Sequence, residues 1–320
     1  MLKIILKRIL QLIPVMFIVV TIVFVITRVM PGNPAMIILG PEASPEAVAE
    51  LTEELGLNDS IPEQFIRYFN GVLHGDLGKS YRYNQPVLNL ILEKIPNTLF
   101  LSVASILIAL LIGIPVGIIS AIKQYTPFDY VSMFCALIGV SIPSFWLSLM
   151  MVLIFCVNLN WLPSIGIGNI ENGIGDVLIH LILPAFCLST GSMANFARIT
   201  RSSMLEVISE DYIKAVRAKG IKEHIVILKH ALKNALPPIV TVIGMRFSFL
   251  MGGAILVETI FSWPGMGKLI VEAIGNKDYG VIQGCVLFLA MFYVLINLVV
   301  DIIYMYLNPK VNYEAQGGGH

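Results

Sequence analysis

Between Lys94 and Lys123 lie 28 residues without one charged side chain. About 20 mostly apolar residues in a helix span the hydrocarbon core of a bilayer, because only an internally hydrogen-bonded helix hides its backbone polar groups there. This stretch is therefore long enough to cross, and it has company. Arg8 and Arg28 bracket 19 uncharged residues, Asp176 and Arg198 bracket 21, and Asp278 and Asp301 bracket 22. Asp129 and Glu171 enclose 41, within which Trp161, Pro163 and several glycines predict a helix end near Asn158. A further segment, 235–257, is interrupted only by Arg246. The spacing predicts six spanning helices. The first is read as retained: its apolar run is too long for a signal peptide, and Arg28-Val29-Met30-Pro31 offers no small-residue cleavage site.

Composition agrees. Charged residues make up 13% of the 320-residue chain, about half the share that an ordinary soluble domain uses to cover its surface. A soluble enzyme, a nucleic-acid binder and a disordered chain are excluded on that ground. Net charge is +0 and uninformative, but its distribution is not. Residues 198–234 carry eight Lys or Arg against four Asp or Glu, and 31–97 carry nine acidic residues against four basic. Lys3, Lys7 and Arg8 precede the first apolar run. By the positive-inside rule both termini and the basic loop face the cytoplasm, and the long acidic loop faces outward. Within that loop Ser44-Pro45-Glu46 predicts a helix start over 45–55, and the apolar spacing of Phe65, Ile66, Phe69, Val72 and Leu73 predicts a helix over 62–73. The organisation expected is a first spanning helix at 1–30, an extracytoplasmic loop at 31–97, and a core at 98–310 holding five spanning helices and the cytoplasmic loop 198–234. A tail at 311–320 follows, its Gln316-Gly317-Gly318-Gly319-His320 end resembling a tag remnant.

Several chemical motifs fail on inspection. Gly78-Lys79-Ser80 ends like a phosphate-binding loop, but Leu73 stands where the first glycine is needed. Gly166-Ile167-Gly168 has Glu171 in place of a third glycine, and no Gly-x-Ser-x-Gly exists. His224 and His230 lack a Cys or carboxylate to complete a metal set. Cys135, Cys156, Cys187 and Cys285 sit singly in apolar runs, as packing residues do. No catalytic residue and no metal site is expected.

The basic loop is more structured than a tether. Asp211-Tyr212-Ile213-Lys214-Ala215-Val216-Arg217-Ala218-Lys219-Gly220 predicts a short helix with an anion in its first turn, a cation in its last and a glycine stop. A second helical run, 221–236, feeds the fifth spanning helix. On pattern alone the short helix fits two roles equally: docking into a cleft on another protein, or lying on the membrane with its lysines against anionic lipid. Arg246 lies near the middle of its apolar segment, where a charge costs at least about 2.5–3.5 kcal/mol unless it meets a partner or a cavity. It reads either as a structural pair or as part of a translocation path with Thr241 and Ser248.

Taken in order along the chain, the sequence resembles the inner-membrane permease subunits of bacterial ATP-binding-cassette importers, in the dipeptide, oligopeptide and nickel group. The resemblance rests on Met30-Pro31-Gly32-Asn33-Pro34-Ala35, Gly75-Asp76-Leu77-Gly78-Lys79-Ser80, Gly139-Val140-Ser141-Ile142-Pro143-Ser144-Phe145-Trp146, Arg198-Ile199-Thr200-Arg201-Ser202, Arg217-Ala218-Lys219-Gly220, Glu258-Thr259-Ile260-Phe261-Ser262-Trp263-Pro264-Gly265 and Asn308-Pro309. It implies an all-α membrane protein with the type I importer fold and six transmembrane helices. It also implies an ATPase-contacting motif, a Glu-Ala-Ala pattern followed by glycine. Gly220 and Ala215 match that motif, whereas Lys214 replaces its Glu and Val216 its second Ala. The partners implied are two ATPase subunits that bind ATP and Mg, a second and related permease subunit, an extracytoplasmic substrate-binding protein and membrane lipid. The chain itself would hold no cofactor and catalyse nothing. The wording of the motifs favours short peptides, glutathione-like ones included, with a nickel chelate as the alternative cargo. An ion-coupled secondary transporter is a further class, disfavoured because it needs acidic residues at mid-membrane and only Arg246 is charged there.

Overall fold

The computed structural model describes residues 2–29, 34–40, 42–54 and 56–307. The motif residues Met30, Pro31, Gly32, Asn33, Asn308 and Pro309, and the tail at 311–320, lie outside them. The helices are α1 (Leu2–Val29), α2 (Pro34–Leu39), α3 (Pro45–Glu54), α4 (Ile61–Leu73), α5 (Val87–Ile122), α6 (Pro127–Ser141), α7 (Ser144–Met151), α8 (Ile174–Ser209), α9 (Asp211–Ala218), α10 (Glu223–Ile225), α11 (Leu232–Ile260), α12 (Met266–Gly275) and α13 (Tyr279–Leu307). Wider π-helical turns occupy Val152–Asn158 and Val226–Ala231. A two-residue antiparallel pair, β1 (Lys79–Ser80) with β2 (Gln85–Pro86), breaks the all-helical pattern.

Among the described residues five helices are long and apolar enough to cross a membrane: Leu10–Arg28, Val87–Ile122, Ile174–Ser209, Glu223–Gly252 and Tyr279–Val300. The remaining crossing expected from sequence is not a single rod. Its two halves, Pro127–Ser141 and Ser144–Asn158, are bent by 99°. The cause is local. Pro143 offers no N–H, and its ring disfavours helical backbone at Ile142, which sits extended at φ −76°, ψ 123°. The count among the described residues is therefore five single spans and one broken pair, six if the pair counts as one.

The chain divides into two compact units. Among the described residues, one comprises 99–263 and 295–307. Trp263, Phe196, Phe261 and Leu101 form the centre of its main apolar cluster. In it α5 lies against α8 so closely that a Cβ at Gly113 would stand 2.6 Å from the Met193 carbonyl oxygen, and one at Gly117 2.5 Å from that of Ala197. Small residues four apart on one helix face allow such backbone approach in a bilayer, where packing replaces hydrophobic drive. Asp129, at the start of α6 and 1% exposed, accepts two hydrogen bonds from the Arg201 guanidinium, at 2.6 and 2.7 Å.

The other unit comprises residues 2–98 and 264–294. Here α4 packs on α1 through rings: Phe17 and Phe24 meet Phe65 and Phe69 at centroid distances of 5.3–6.1 Å. The outer-loop starts read from sequence are present. Ser44 Oγ accepts the Ala47 N–H, and Ser60 and Glu63 form a capping box ahead of α4. The short helix α12, not foreseen from sequence, is held at its start by a remote side chain, since Met266 N–H donates to Thr98 Oγ1 at 2.8 Å.

Candidate functional site

Helix α9 has eight residues, too few to be stable alone, so tertiary packing holds it. Ile213 is fully buried and Val216 half-buried. Both join a cluster of Met204, Val226, Ile227, Ala231, Ala235 and Ile239. Tyr212 adds a polar tie, its hydroxyl accepting from Asn234 Nδ2 at 2.6 Å. At the C-terminus Gly220 has φ +74° and its N–H reaches the Arg217 carbonyl at 2.9 Å. That left-handed stop is what glycine permits at no steric cost.

With Ile213 turned inward, the residues facing away are Asp211, Lys214, Ala215 and Ala218. They recur at the three-and-four spacing of one helix face. This face is small and charged. Lys214 Nζ pairs with its neighbour Asp211 at 2.8 Å, and the two alanines leave flat, open backbone between the charges. Arg217 and Lys219 are exposed too, but the Arg217 fork is already engaged, donating to Glu223 at 2.7 and 3.2 Å. It braces the turn that follows α9, a role its position in sequence did not reveal.

Of the three residues read as a path in α11, Thr241 and Ser248 stand seven residues apart on one face of the helix, and Arg246 stands on another. Arg246 stands midway along the helix, half-buried, with its guanidinium 5.9 Å from the Phe249 ring. Ser248 is buried and donates to the Gly244 carbonyl at 3.2 Å, and Thr241 donates to that of Pro237 at 3.1 Å. Two residues of helix turn the axis by about 200°, so Arg246 points nearly opposite to Ser248. Arg246 shares its side with the exposed Met245 and Phe249 instead.

Gly78-Lys79-Ser80 forms no phosphate cradle, since Lys79 and Ser80 are strand residues and Ser80 Oγ donates to Asp278 at 2.6 Å. Among the described residues no three His, Cys, Asp or Glu side chains converge on a metal-sized point.

Multiple spans, one of them broken, and a short packed helix outside the spans describe a polytopic membrane protein. The chain belongs to the family described as binding-protein-dependent transport system inner membrane component: that family's model matches residues 113–313, and its N-terminal companion matches 1–102. It is accordingly a permease subunit of an ABC importer, a multi-pass protein of the inner membrane. It is 47% identical to the dipeptide transport system permease protein DppB of Alkalihalophilus pseudofirmus, over 96% of this chain and 98% of that one. The glutathione transport system permease protein GsiC of Salmonella paratyphi A is 42% identical over 98% of this chain and all of its own length. The oligopeptide transport system permease protein AppB of Bacillus subtilis is 40% identical over 97% and 99%. In fold, the chain is similar to the inward-facing methionine ABC transporter MetNI, with a TM-score of 0.56 at 22% identity, over 68% of this chain and 96% of that one.

Proposed function

We propose that this chain forms half of the pathway of an ATP-driven importer of short peptides, and that α9 is where an ATPase subunit pushes. The observation that carries the reading is the division of α9 into two faces. A helix that lies on a membrane turns large apolar side chains to the lipid. Here the large apolar residue, Ile213, is spent on the chain's own core, and the free face offers two alanines and a charge pair. Such a face suits close contact with a protein cleft. Because α9 is clamped to α11 through Ile213 and Tyr212, displacement of α9 would be delivered to a spanning helix as a rigid-body motion.

In this reading ATP and Mg are bound by two partner ATPase subunits and none by this chain. A second, related permease subunit supplies the other half of the pathway, and an extracytoplasmic binding protein delivers the cargo. Both termini and α9 lie in the cytoplasm, and α2 to α4 lie outside. Support for a peptide cargo comes from the dipeptide, glutathione and oligopeptide permeases that this chain resembles over nearly its whole length.

The coupling role is tested at the glycine stop. A β-branched side chain at φ +74° costs about 1–2 kcal/mol and unwinds the end of α9. Gly220→Val is expected to lower substrate-stimulated ATP hydrolysis and uptake several-fold in the reconstituted complex. Wild-type rates would overturn the assignment. Orientation is tested separately: a cysteine replacing Asp59 is expected to react with an impermeant thiol reagent from outside, and one replacing Lys222 only after the membrane is opened. The opposite pattern would contradict it.

A further inference from the structure

The unit built from residues 2–98 and 264–294 holds a half-open cavity of about 540 Å³ that none of the roles above uses. Pockets for small molecules run from about 300 to 1,000 Å³. Its charge is contrary to its surroundings. Residues 31–97 are acidic on balance, yet the cavity is lined by five cationic side chains and only two carboxylates. Both carboxylates are already occupied. Asp76 accepts from Gly78 N–H at 2.9 Å, and Asp278 from Ser80 Oγ at 2.6 Å and Val281 N–H at 3.3 Å. Arg67 is paired with Asp59.

What remains includes a cation without a carboxylate partner and two buried polar atoms without hydrogen bonds among the described residues. The Arg28 guanidinium stands 5.2 Å over the face of Phe24, and no carboxylate pairs with it among the described residues. Tyr68 stacks on the same ring at 5.8 Å, and its buried hydroxyl has no hydrogen-bond partner. Burial pushes that phenol up to about 12, so it is a proton donor at every physiological pH. Gln64 is 6% exposed; its amide nitrogen is held by the Leu57 and Asp59 carbonyls at 3.1 and 2.8 Å, which fixes the flip and leaves Oε1 an acceptor without a donor. A buried polar atom left unpaired costs free energy that a ligand can recover.

We infer that this cavity binds the carboxylate-bearing end of a short peptide, with Arg28 and the Tyr68 hydroxyl on the carboxylate and Gln64 Oε1 on a peptide N–H or ammonium group. A ligand that supplies both an anion and a donor satisfies all three residues. A fully ionised inorganic anion would leave Gln64 Oε1 unpaired. The inference rests on the peptide-importer reading and on the outward placement of α4; it adds a cargo contact on this chain ahead of the membrane crossing.

The test uses the assembled transporter in lipid nanodiscs, with dialanine, dialanine amide and inorganic phosphate as probes followed by saturation-transfer NMR. Dialanine is expected to bind at least about tenfold more tightly than its amide, and phosphate to compete poorly. Arg28→Gln and Tyr68→Phe are each expected to weaken dialanine about tenfold and to leave the amide unchanged, the second variant preserving the ring stack. Equal binding of acid and amide, affinities untouched by both variants, equal competition by phosphate or no binding at all would each overturn the assignment. ATP-dependent uptake of dialanine by the same wild-type complex keeps the two readings apart: uptake without cavity binding removes only the cavity, whereas absence of uptake removes the peptide-importer reading.

Discussion

Ile213→Asp is expected to abolish coupling while leaving the spanning helices inserted. The side chain is fully buried between Met204, Val226 and Ile239, so the change removes a packed aliphatic group and places a carboxylate in an apolar cluster. Loss of such a group costs about 2–5 kcal/mol before the charge is counted. An eight-residue helix has no intrinsic stability to absorb that, and α9 would detach from its seat. Pull-down of the ATPase subunits with the permease, together with stimulated ATP hydrolysis, reads the effect; both should fall to background. Ile213→Val, which keeps the burial, is expected to retain most of both. Full activity in the Asp variant would show that α9 needs no fixed seat.

Asp129→Ala is expected to destabilise the unit that holds α9 strongly. Asp129 and Arg201 form a two-bond fork, with the Asp129 side chain only 2% exposed and that of Arg201 24%. Removing one partner of a buried pair leaves the other charge uncompensated, at a cost on the order of 3 kcal/mol. Asp129 also accepts the Tyr125 N–H at 3.1 Å, and Tyr125 sits in the turn before α6 at φ +63°. The turn loses its anchor with the same change. A double variant, Asp129→Leu with Arg201→Met, is expected to recover much of the loss, because it leaves no orphaned charge. Thermal denaturation of the solubilised complex distinguishes the two. Equal melting of single and double variants would mean that an unpaired Arg201 charge costs nothing measurable.

The elements written in local pattern were the legible ones. Uncharged runs bounded by Lys, Arg, Asp or Glu mark spans because the bilayer excludes charge along the whole segment, and α5, α8 and α13 stand where those runs lie. Caps are equally local: Ser44 ahead of α3, and Asp211 and Gly220 at the two ends of α9, act within one turn of themselves. The 99° bend at Ile142-Pro143 escaped a reading based on charge, since uncharged residues continue unbroken through it and only the backbone restriction before proline marks the place. Pairings across distance were invisible. Asp129 and Arg201 are 72 residues apart, and the cavity gathers Arg28, Gln64 and Asp278 from three separate stretches. Arg217 shows the same limit at short range. The turn after Gly220 folds Glu223 back onto it, a pairing that no local pattern marks.

The central claim, that α9 meets a protein and not the lipid surface, is tested most directly by placing a photo-reactive amino acid at Ala215, in the middle of the free face of α9. On irradiation of membranes containing the whole transporter, the account predicts one major cross-linked product, this chain joined to an ATPase subunit, lost in the Ile213→Asp background. Cross-linking to lipid alone, with the ATPase present and active, would contradict it.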